Sequence, residues 1–198
     1  ILNKSDDTIE VEINKKQKTI EITDTGIGLA ETELAETLGT IAKSGTSSFL
    51  EELSGSDNNK DAAKTLIGQF GVGFYSAFMV AEKVEVISTK AGTSKTFIWE
   101  SDGQNGFDIS QSDQSQNVGT SIKLFLRKDA KEYLDLAKLR TLIKKYSDHI
   151  TVPITIKDNE NDAEQANSAQ ALWTRSSSSI KHEEYVEFFK SNFGAFDD

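Results

Sequence analysis

The sequence predicts an α+β fold in which helices cover one face of a mostly antiparallel sheet. Residues 8–14 and 19–23 alternate polar and apolar side chains, as half-buried strands do, and a short polar turn separates them. Residues 135–147 have the leucine spacing of an amphipathic helix. Strands and helices follow one another without regular βαβ alternation, which argues against a parallel α/β sheet.

The first elements are a hairpin, a turn and a helix. Residues 15–18 (Lys-Lys-Gln-Lys) form the polar turn between the two alternating strands, and the Asp24-Thr25-Gly26-Ile27-Gly28 segment forms the next turn. Residues 31–38 are predicted to be helical because Leu34 and Leu38 lie four residues apart. Ala30 has no side-chain acceptor and makes a poor N-cap for that helix.

The middle of the chain begins with a polar segment. Residues 39–67 are rich in Gly, Ser, Thr, Asn and Asp and have the character of a functional lid, with one short helix predicted near 47–53. The apolar run at 74–80 is predicted to be a buried helix. The remaining predictions are strands at 83–89, 95–100 and 119–126, a polar connection at 104–118, the helix at 135–147 and a strand at 154–156 after Pro153.

Composition excludes several function classes. The 198 residues carry a formal net charge of −10, which disfavours binding to nucleic acid or to anionic membranes. The chain contains no cysteine, which excludes disulfides, thiolate zinc sites and cysteine nucleophiles. No apolar run approaches the roughly 18 residues of a membrane span. The chain begins Ile-Leu-Asn-Lys and is expected to be the interior of a longer protein.

The first candidate site is the turn after the second strand. Asp24 is followed by Gly26 and Gly28, and glycines allow a ligand to approach the backbone closely. A partly buried carboxylate needs a hydrogen-bond donor, and an exocyclic amine such as that of adenine would provide one. The alternative is an ordinary Asp-Gly turn, which is a common feature of proteins.

The second candidate site is the glycine-rich turn Gly68-Gln69-Phe70-Gly71-Val72-Gly73 before the predicted helix. Exposed backbone N–H groups and a helix N-terminus favour phosphate. The turn is neither a Walker loop, because no Gly-Lys-Ser/Thr follows, nor a good Rossmann fingerprint, because it comes late in the chain. The alternative is a packing role. A third pair, Gly119-Thr120, opens a strand and offers a hydroxyl.

These motifs occur in the order of the Bergerat-type ATP site found in gyrase, histidine kinases, MutL and one chaperone family. Longer strings resemble the ninety-kilodalton heat-shock chaperones over nearly the whole chain, and those near the end resemble the bacterial or organellar branch. The strings are residues 38–46 (LGTIAKSGT), 67–76 (IGQFGVGFYS), 99–101 (WES), 146–150 (YSDHI), 171–175 (ALWTR) and 183–185 (EEY).

The resemblance implies a two-layer sandwich of the Bergerat type and a role for each matching residue. Asp24 binds the adenine amine, Gly28 lies against the base, and Thr120 supports the base through Asp24 and water. Thr37 stands where some relatives have a ribose-contacting Asn, which leaves that contact open. The remaining implied nucleotide-binding residues are Leu29, Leu38 and Phe74 in the pocket wall, Lys43 near the phosphates, and Gly68, Gln69, Phe70, Gly71, Val72 and Gly73 around the phosphates.

The resemblance also implies an ATP-dependent chaperone that binds ATP or ADP with Mg²⁺, acts on client proteins as a homodimer, and works in the cytoplasm or an organellar matrix. The family's general base Glu and magnesium-binding Asn are expected upstream of residue 1, so no catalytic or metal-binding residue is assigned in this chain. The predicted domains are a nucleotide-binding domain at 1–157, a linker at 158–170 and the beginning of a middle domain at 171–198.

Two alternatives stay open from the sequence. The first is another Bergerat-type enzyme, a histidine kinase or a MutL-like protein, although no phosphoacceptor-His helical hairpin is visible. The second is a regulatory module that binds nucleotide without turnover.

Overall fold

The structure is a computed structural model that describes residues 7–39, 72–169, 180–182, 185, 186 and 189. The predicted lid at 39–67, apart from Gly39, lies outside the described residues. So does most of the segment predicted to begin a middle domain, although the described residues His182, Tyr185, Val186 and Phe189 are helical.

Eight strands form one sheet in the order β5-β4-β3-β6-β2-β1-β7-β8. All neighbours are antiparallel except β1 and β7, which are parallel. The α+β prediction with a mostly antiparallel sheet is therefore confirmed. The strands are β1 (Ile9–Asn14), β2 (Thr19–Asp24), β3 (Ala81–Thr89), β4 (Thr96–Ser101), β5 (Asp108–Gln111), β6 (Gly119–Leu126), β7 (Ile154–Asp158) and β8 (Glu164–Gln165).

The alternation seen in the sequence separates an apolar face of the sheet from a polar face. Register across the strands places Val11, Ile22, Ile122, Val86 and Trp99 in one continuous row on the apolar face. The most deeply buried members of the core on this face are Ile13, Val84, Trp99 and Ile156. Burial of apolar area stabilises the fold by roughly 25 cal/mol per Å².

The opposite face of the sheet carries ion pairs. Glu10 and Glu12 both contact Lys157, at 2.7 and 3.2 Å, and Glu21 contacts Lys123 at 3.0 Å. All five side chains are more than one-quarter exposed. Glu10 and Glu12 therefore lie on a partly exposed strand face, where each pairs with Lys157.

The helices are shorter than predicted. Helix α1 covers only Glu31–Leu34 and continues as a π-helix over Ala35–Gly39, so the prediction of one α-helix through residue 38 is wrong. At the end of the π-helix, the Gly39 backbone lies against the Phe107 ring, where an added Cβ would lie 2.4 Å from a ring carbon. Ala30 provides no side-chain cap; instead, the Glu33 carboxylate accepts a hydrogen bond from the Ala30 N–H at 2.8 Å.

The apolar run at 74–80 is helical but not buried, which corrects that prediction. It consists of a 3₁₀ helix at Val72–Ser76 and a single α-helical turn, α2, at Ala77–Val80. The Ser76 hydroxyl donates to the Gly73 carbonyl oxygen at 2.6 Å and favours the tight turn. Met79 is 77% exposed, whereas Phe74 and Phe78 pack against the core.

A 3₁₀ helix at Lys128–Leu134 leads into helix α3 at Leu136–Ser147, which confirms the prediction for 135–147. The Asp135 carboxylate caps α3 by accepting hydrogen bonds from the N–H groups of Ala137 and Lys138. Within the described part of the chain, no helix has the length and apolar character needed to cross a bilayer.

Two segments predicted to be irregular contribute strands. The polar connection at 104–118 contains β5, and the segment at 158–170 predicted to be a linker contains β8. Strand β8 pairs with β7 through Thr155↔Gln165 and Ile156↔Glu164. The domain boundaries stay a prediction, but the chain remains attached to the sheet as far as residue 167.

The side chain of Asn167 ties this segment to the end of α3. It is 5% exposed, and its Oδ1 accepts from the Ile154 N–H at 2.8 Å. Its Nδ2 group lies 3.1–3.3 Å from the carbonyl oxygens of Ser147, Ile150 and Val152. One amide therefore satisfies backbone groups on both sides of the turn that leads into β7.

The buried carboxylate of Asp158 predicts a loss of stability in acid. Its side chain is 0% exposed, and Lys15 Nζ lies 2.9 Å from Oδ2. The hydrogen bond from Lys15, followed by those from the Glu160 N–H and Asn161, holds its pKa well below the usual range. A depressed pKa stabilises the fold fully above the unfolded value of about 3.9, and this stabilisation is lost as pH falls below it.

We therefore expect Asp158→Asn to lower the free energy of unfolding at pH 7 and to flatten its decline below about pH 4. Urea unfolding at a series of pH values measures both effects. Glu160→Gln is the control, because Glu160 is exposed and touches the same lysine at 3.4 Å. An unchanged acid decline in Asp158→Asn would contradict this assignment.

Candidate functional site

Three polar residues lie side by side at one end of the core-facing surface of the sheet. Register places Asp24 of β2 opposite Thr120 of β6, and Thr120 opposite Ser88 of β3. Their neighbours along the same strands and face are Ile22, Ile122 and Val86, which pack in or against the core. We call Asp24, Thr120 and Ser88 the polar row. A polar row on a core-facing surface requires hydrogen-bond partners.

One carboxylate oxygen of Asp24 accepts a hydrogen bond from a described residue, and the other does not. Oδ1 accepts a hydrogen bond from the Gly26 N–H at 2.8 Å, which holds the turn in shape. No described residue donates to Oδ2. Asp24 is half-buried, so Oδ2 keeps free acceptor capacity at this end of the core-facing surface.

Glycines allow three backbone segments to meet beside Asp24. Gly28 has φ +65°, and a Cβ there would lie 2.0 Å from the Thr89 carbonyl oxygen. Gly119 has φ +138°, and a Cβ there would lie 2.2 Å from the Asp24 carbonyl oxygen. Both positions therefore exclude side chains on conformational and steric grounds. The predicted turn and the predicted Gly-Thr strand start are brought together by these contacts.

Ser88 connects the turn to β6, and it is not among the site residues predicted from the sequence. Its Oγ accepts from the Leu29 N–H at 2.7 Å, lies 2.9 Å from Thr120 Oγ1 and donates to the Gly119 carbonyl oxygen at 3.1 Å. Ser88 is fully buried. The sequence does contain a signal for Ser88. Strand alternation places this polar residue on the same core-facing side as Val84 and Val86.

Apolar side chains predicted to line the site lie close to the core. Leu38 is 7% exposed, and Leu29 and Phe74 pack partly buried against the core. The Phe74 ring meets Trp99 edge-on with centroids 5.5 Å apart. Thr37, whose role was left open, is exposed.

Only part of the predicted phosphate turn can be placed. Lys43 and the Gly68, Gln69, Phe70 and Gly71 positions lie outside the described residues. Val72 and Gly73 begin the 3₁₀ helix, and an added Cβ at Gly73 would meet no atom within 4 Å. The backbone at Gly73 is therefore open on its outer side.

A separate cavity of about 700 Å³ lies at the opposite end of the β1–β2 hairpin from Asp24. Most of its charged groups are already paired: Asp135 caps α3, Asp158 binds Lys15, and Glu164 binds Arg140 at 3.1 Å. Nothing in this cavity requires a ligand. Among the described residues, no group of three or more His, Cys, Asp or Glu side chains could hold a metal ion.

The polar row and its apolar surroundings fit a flat heterocycle that carries an amine. The carboxylate of Asp24 only accepts hydrogen bonds, and apolar side chains flank it on the same face. Ligand sites commonly combine an apolar wall with a few polar groups that determine orientation. Among the described residues of the polar row, no nucleophile and base pair is present.

Comparisons with known proteins agree with this geometry. The family described as histidine kinase-, DNA gyrase B-, and HSP90-like ATPase matches residues 5–125, a range that includes Asp24, Ser88 and Thr120. The chaperone protein HtpG of Rickettsia bellii strain OSU 85-389 is 50% identical over 191 residues, which are 96% of this chain and 30% of that protein.

Other relatives are similarly close. HtpG of Rickettsia rickettsii strain Sheila Smith is 51% identical over 96% of this chain and 30% of that protein. HtpG of Paramagnetospirillum magneticum is 51% identical over 93% of this chain and 29% of that protein. The chain spans about 30% of the length of these relatives. These identities of about 50% to HtpG chaperones confirm the resemblance to the ninety-kilodalton heat-shock chaperones. The chain belongs to the family of histidine kinase-, DNA gyrase B- and HSP90-like ATPases.

Proposed function

We propose that this chain binds ATP and ADP, and that it does so as the nucleotide-binding part of an ATP-dependent molecular chaperone. The observation that carries the proposal is the polar row on the core-facing surface, in which Asp24 Oδ2 accepts no hydrogen bond from a described residue. Relatives named chaperone protein HtpG that are about 50% identical support the second half of the proposal.

In this proposal, Asp24 and Thr120 recognise the adenine amine, and Gly28 lets the base lie against the backbone. Leu29, Leu38 and Phe74 provide the apolar wall. Lys43 and the turn from Gly68 to Gly73 hold the phosphates, because backbone N–H groups and a lysine neutralise phosphate charge. A bound Mg²⁺ would neutralise phosphate charge further.

We also propose ATP hydrolysis, client binding and homodimer formation for the whole protein, with residues 39–67 acting as a lid and with a cytoplasmic or organellar location. The close HtpG relatives make a histidine kinase or a MutL-like enzyme the weaker alternative. A module that binds nucleotide without turnover is distinguished by phosphate release, which the chaperone proposal requires of the whole protein.

The first test is calorimetric titration of the chain with ADP and with GDP, each with and without Mg²⁺. We expect saturable one-site binding of ADP and binding of GDP that is weaker by at least about 100-fold, because the 6-oxo group of guanine faces a carboxylate instead of donating to it. Mg²⁺ is expected to strengthen ADP binding. Equal affinity for ADP and GDP, or no binding by a folded chain, would overturn the adenine assignment.

A further inference from the structure

The hydroxyl of Ser88 stands between one group that can only donate and one that can only accept. The Leu29 N–H lies 2.7 Å from Ser88 Oγ, and the Gly119 carbonyl oxygen lies 3.1 Å from it. A serine hydroxyl has one hydrogen and two lone pairs. Leu29 therefore uses one lone pair, and the Gly119 carbonyl takes the hydrogen.

One lone pair on Ser88 then remains, and Thr120 is the neighbour that reaches it. Thr120 Oγ1 lies 2.9 Å from Ser88 Oγ, a distance typical of a hydroxyl–hydroxyl hydrogen bond. With the Ser88 hydrogen donated to the Gly119 carbonyl, Thr120 is the donor in this contact. The lone pairs of the Thr120 hydroxyl then remain available to the ligand, whereas its hydrogen does not.

We propose that Ser88 is a specificity-determining residue that acts by positioning the proton of Thr120. With that proton directed at Ser88, Thr120 offers only acceptor capacity beside the carboxylate of Asp24. Two neighbouring acceptors select a ligand that donates at this edge, such as a 6-aminopurine and its hydrating water, and reject one that presents a carbonyl. This inference rests on the proposed nucleotide binding and adds the residue that sets its hydrogen-bond polarity.

The burial of Ser88 makes this polarity rigid. Ser88 is 0% exposed, so water cannot replace any of its three partners. Sheet pairing fixes the relative positions of Ser88 and Thr120, because β3 and β6 pair over eight registered positions that include this one. The hydroxyl of Thr120 therefore cannot turn towards the ligand without leaving Ser88 with an unfilled lone pair.

The test is the ratio of the dissociation constants for IDP and ADP, which differ at position 6 as oxo and amino. We expect Ser88→Ala to lower that ratio by about tenfold, because Thr120 becomes free to donate to the 6-oxo group. A merely structural role for Ser88 would weaken both nucleotides equally and leave the ratio unchanged. Ser88→Thr keeps the hydroxyl and should restore the wild-type ratio.

Ser121→Ala is the matched control. Ser121 is also a buried serine of the same sheet, with hydrogen bonds to Thr23 and Glu21 on the opposite face. It should leave the ratio unchanged. If Ser88→Ala fails to fold, Ser88→Cys keeps a similar shape with a much weaker donor and acceptor, and it should lower the ratio as well.

The outcomes are separable. A folded Ser88→Ala or Ser88→Cys variant with the wild-type ratio overturns the role of Ser88 while ADP binding stands. A folded wild-type chain that binds neither ADP nor IDP overturns the proposed function and this inference together. A lowered ratio in Ser121→Ala would show that any buried serine of the sheet has this effect, which also overturns the inference.

Discussion

Asp24→Asn is expected to weaken ADP binding by about 100-fold without unfolding the chain. Hydrogen bonds to a charged partner contribute about 1.5–3 kcal/mol, which corresponds to roughly a 10- to 100-fold change in affinity. The amide also presents N–H donors where the ligand amine needs an acceptor. Asparagine keeps the oxygen that accepts from the Gly26 N–H, so the turn itself should survive.

Calorimetric titration with ADP measures this effect, and circular dichroism checks the fold. Glu21→Gln is the control, since Glu21 lies on the same strand but faces Lys123 on the opposite side of the sheet. It removes one negative charge and should leave ADP affinity within about twofold. Wild-type affinity in Asp24→Asn would remove Asp24 from the binding site.

Trp99→Ala is expected to destabilise the chain by about 3–5 kcal/mol, as removal of a large buried aromatic side chain does. Trp99 is 0% exposed, contacts Phe74 edge-on and stacks on Phe107 with centroids 6.0 Å apart. Phe107 in turn covers the backbone of Gly39. The cavity left by alanine would therefore loosen the apolar wall of the site as well as the core.

Trp99→Phe separates packing from polarity. Within the described part of the chain, the buried indole Nε1 has no hydrogen-bond partner, which is itself a cost of about 1–3 kcal/mol. Phenylalanine removes that donor but keeps most of the aromatic ring. Trp99→Phe should therefore lower the free energy of unfolding by less than half as much as Trp99→Ala does. Urea unfolding measures both variants, and equal losses would contradict the importance of ring packing.

Periodicity predicted most of the sheet because its strands have one apolar and one polar face. The hairpin of β1 and β2 and the strands β3, β4, β6 and β7 follow from alternation alone. Strand β5 was missed because Ile109 is its one apolar residue facing the core row, and its other residues are exposed or polar. Strand β8 has two residues and depends on Asn167, which no local pattern reveals.

The helical predictions were less exact because tertiary contacts determine them. The π-helix at Ala35–Gly39 ends at a glycine packed against a ring 68 residues later in the chain, a contact that no local pattern reveals. The run at 74–80 is apolar on all sides, which is typical of a buried helix, yet Met79 remains exposed.

The sequence indicated two of the three polar-row residues through their glycine neighbours. Asp24 and Thr120 stand beside Gly26, Gly28 and Gly119, and glycines mark places of close backbone approach. Ser88 has no such neighbour, and its importance depends on the pairing of β3 with β6. Periodicity could still have identified Ser88, because it is a polar residue at a core-facing position of an alternating strand.

The order of the strands has a consequence for synthesis on the ribosome. The β1–β2 hairpin occupies positions 9–24 but is flanked in the finished sheet by β6 and β7, which begin at Gly119 and Ile154. At about 5–20 residues per second, roughly 5–20 s separate the appearance of the hairpin from that of its first neighbour. During that interval both edges of the hairpin lack these neighbours and its apolar face lacks the rest of the sheet core, so this hairpin needs protection from aggregation until β6 emerges.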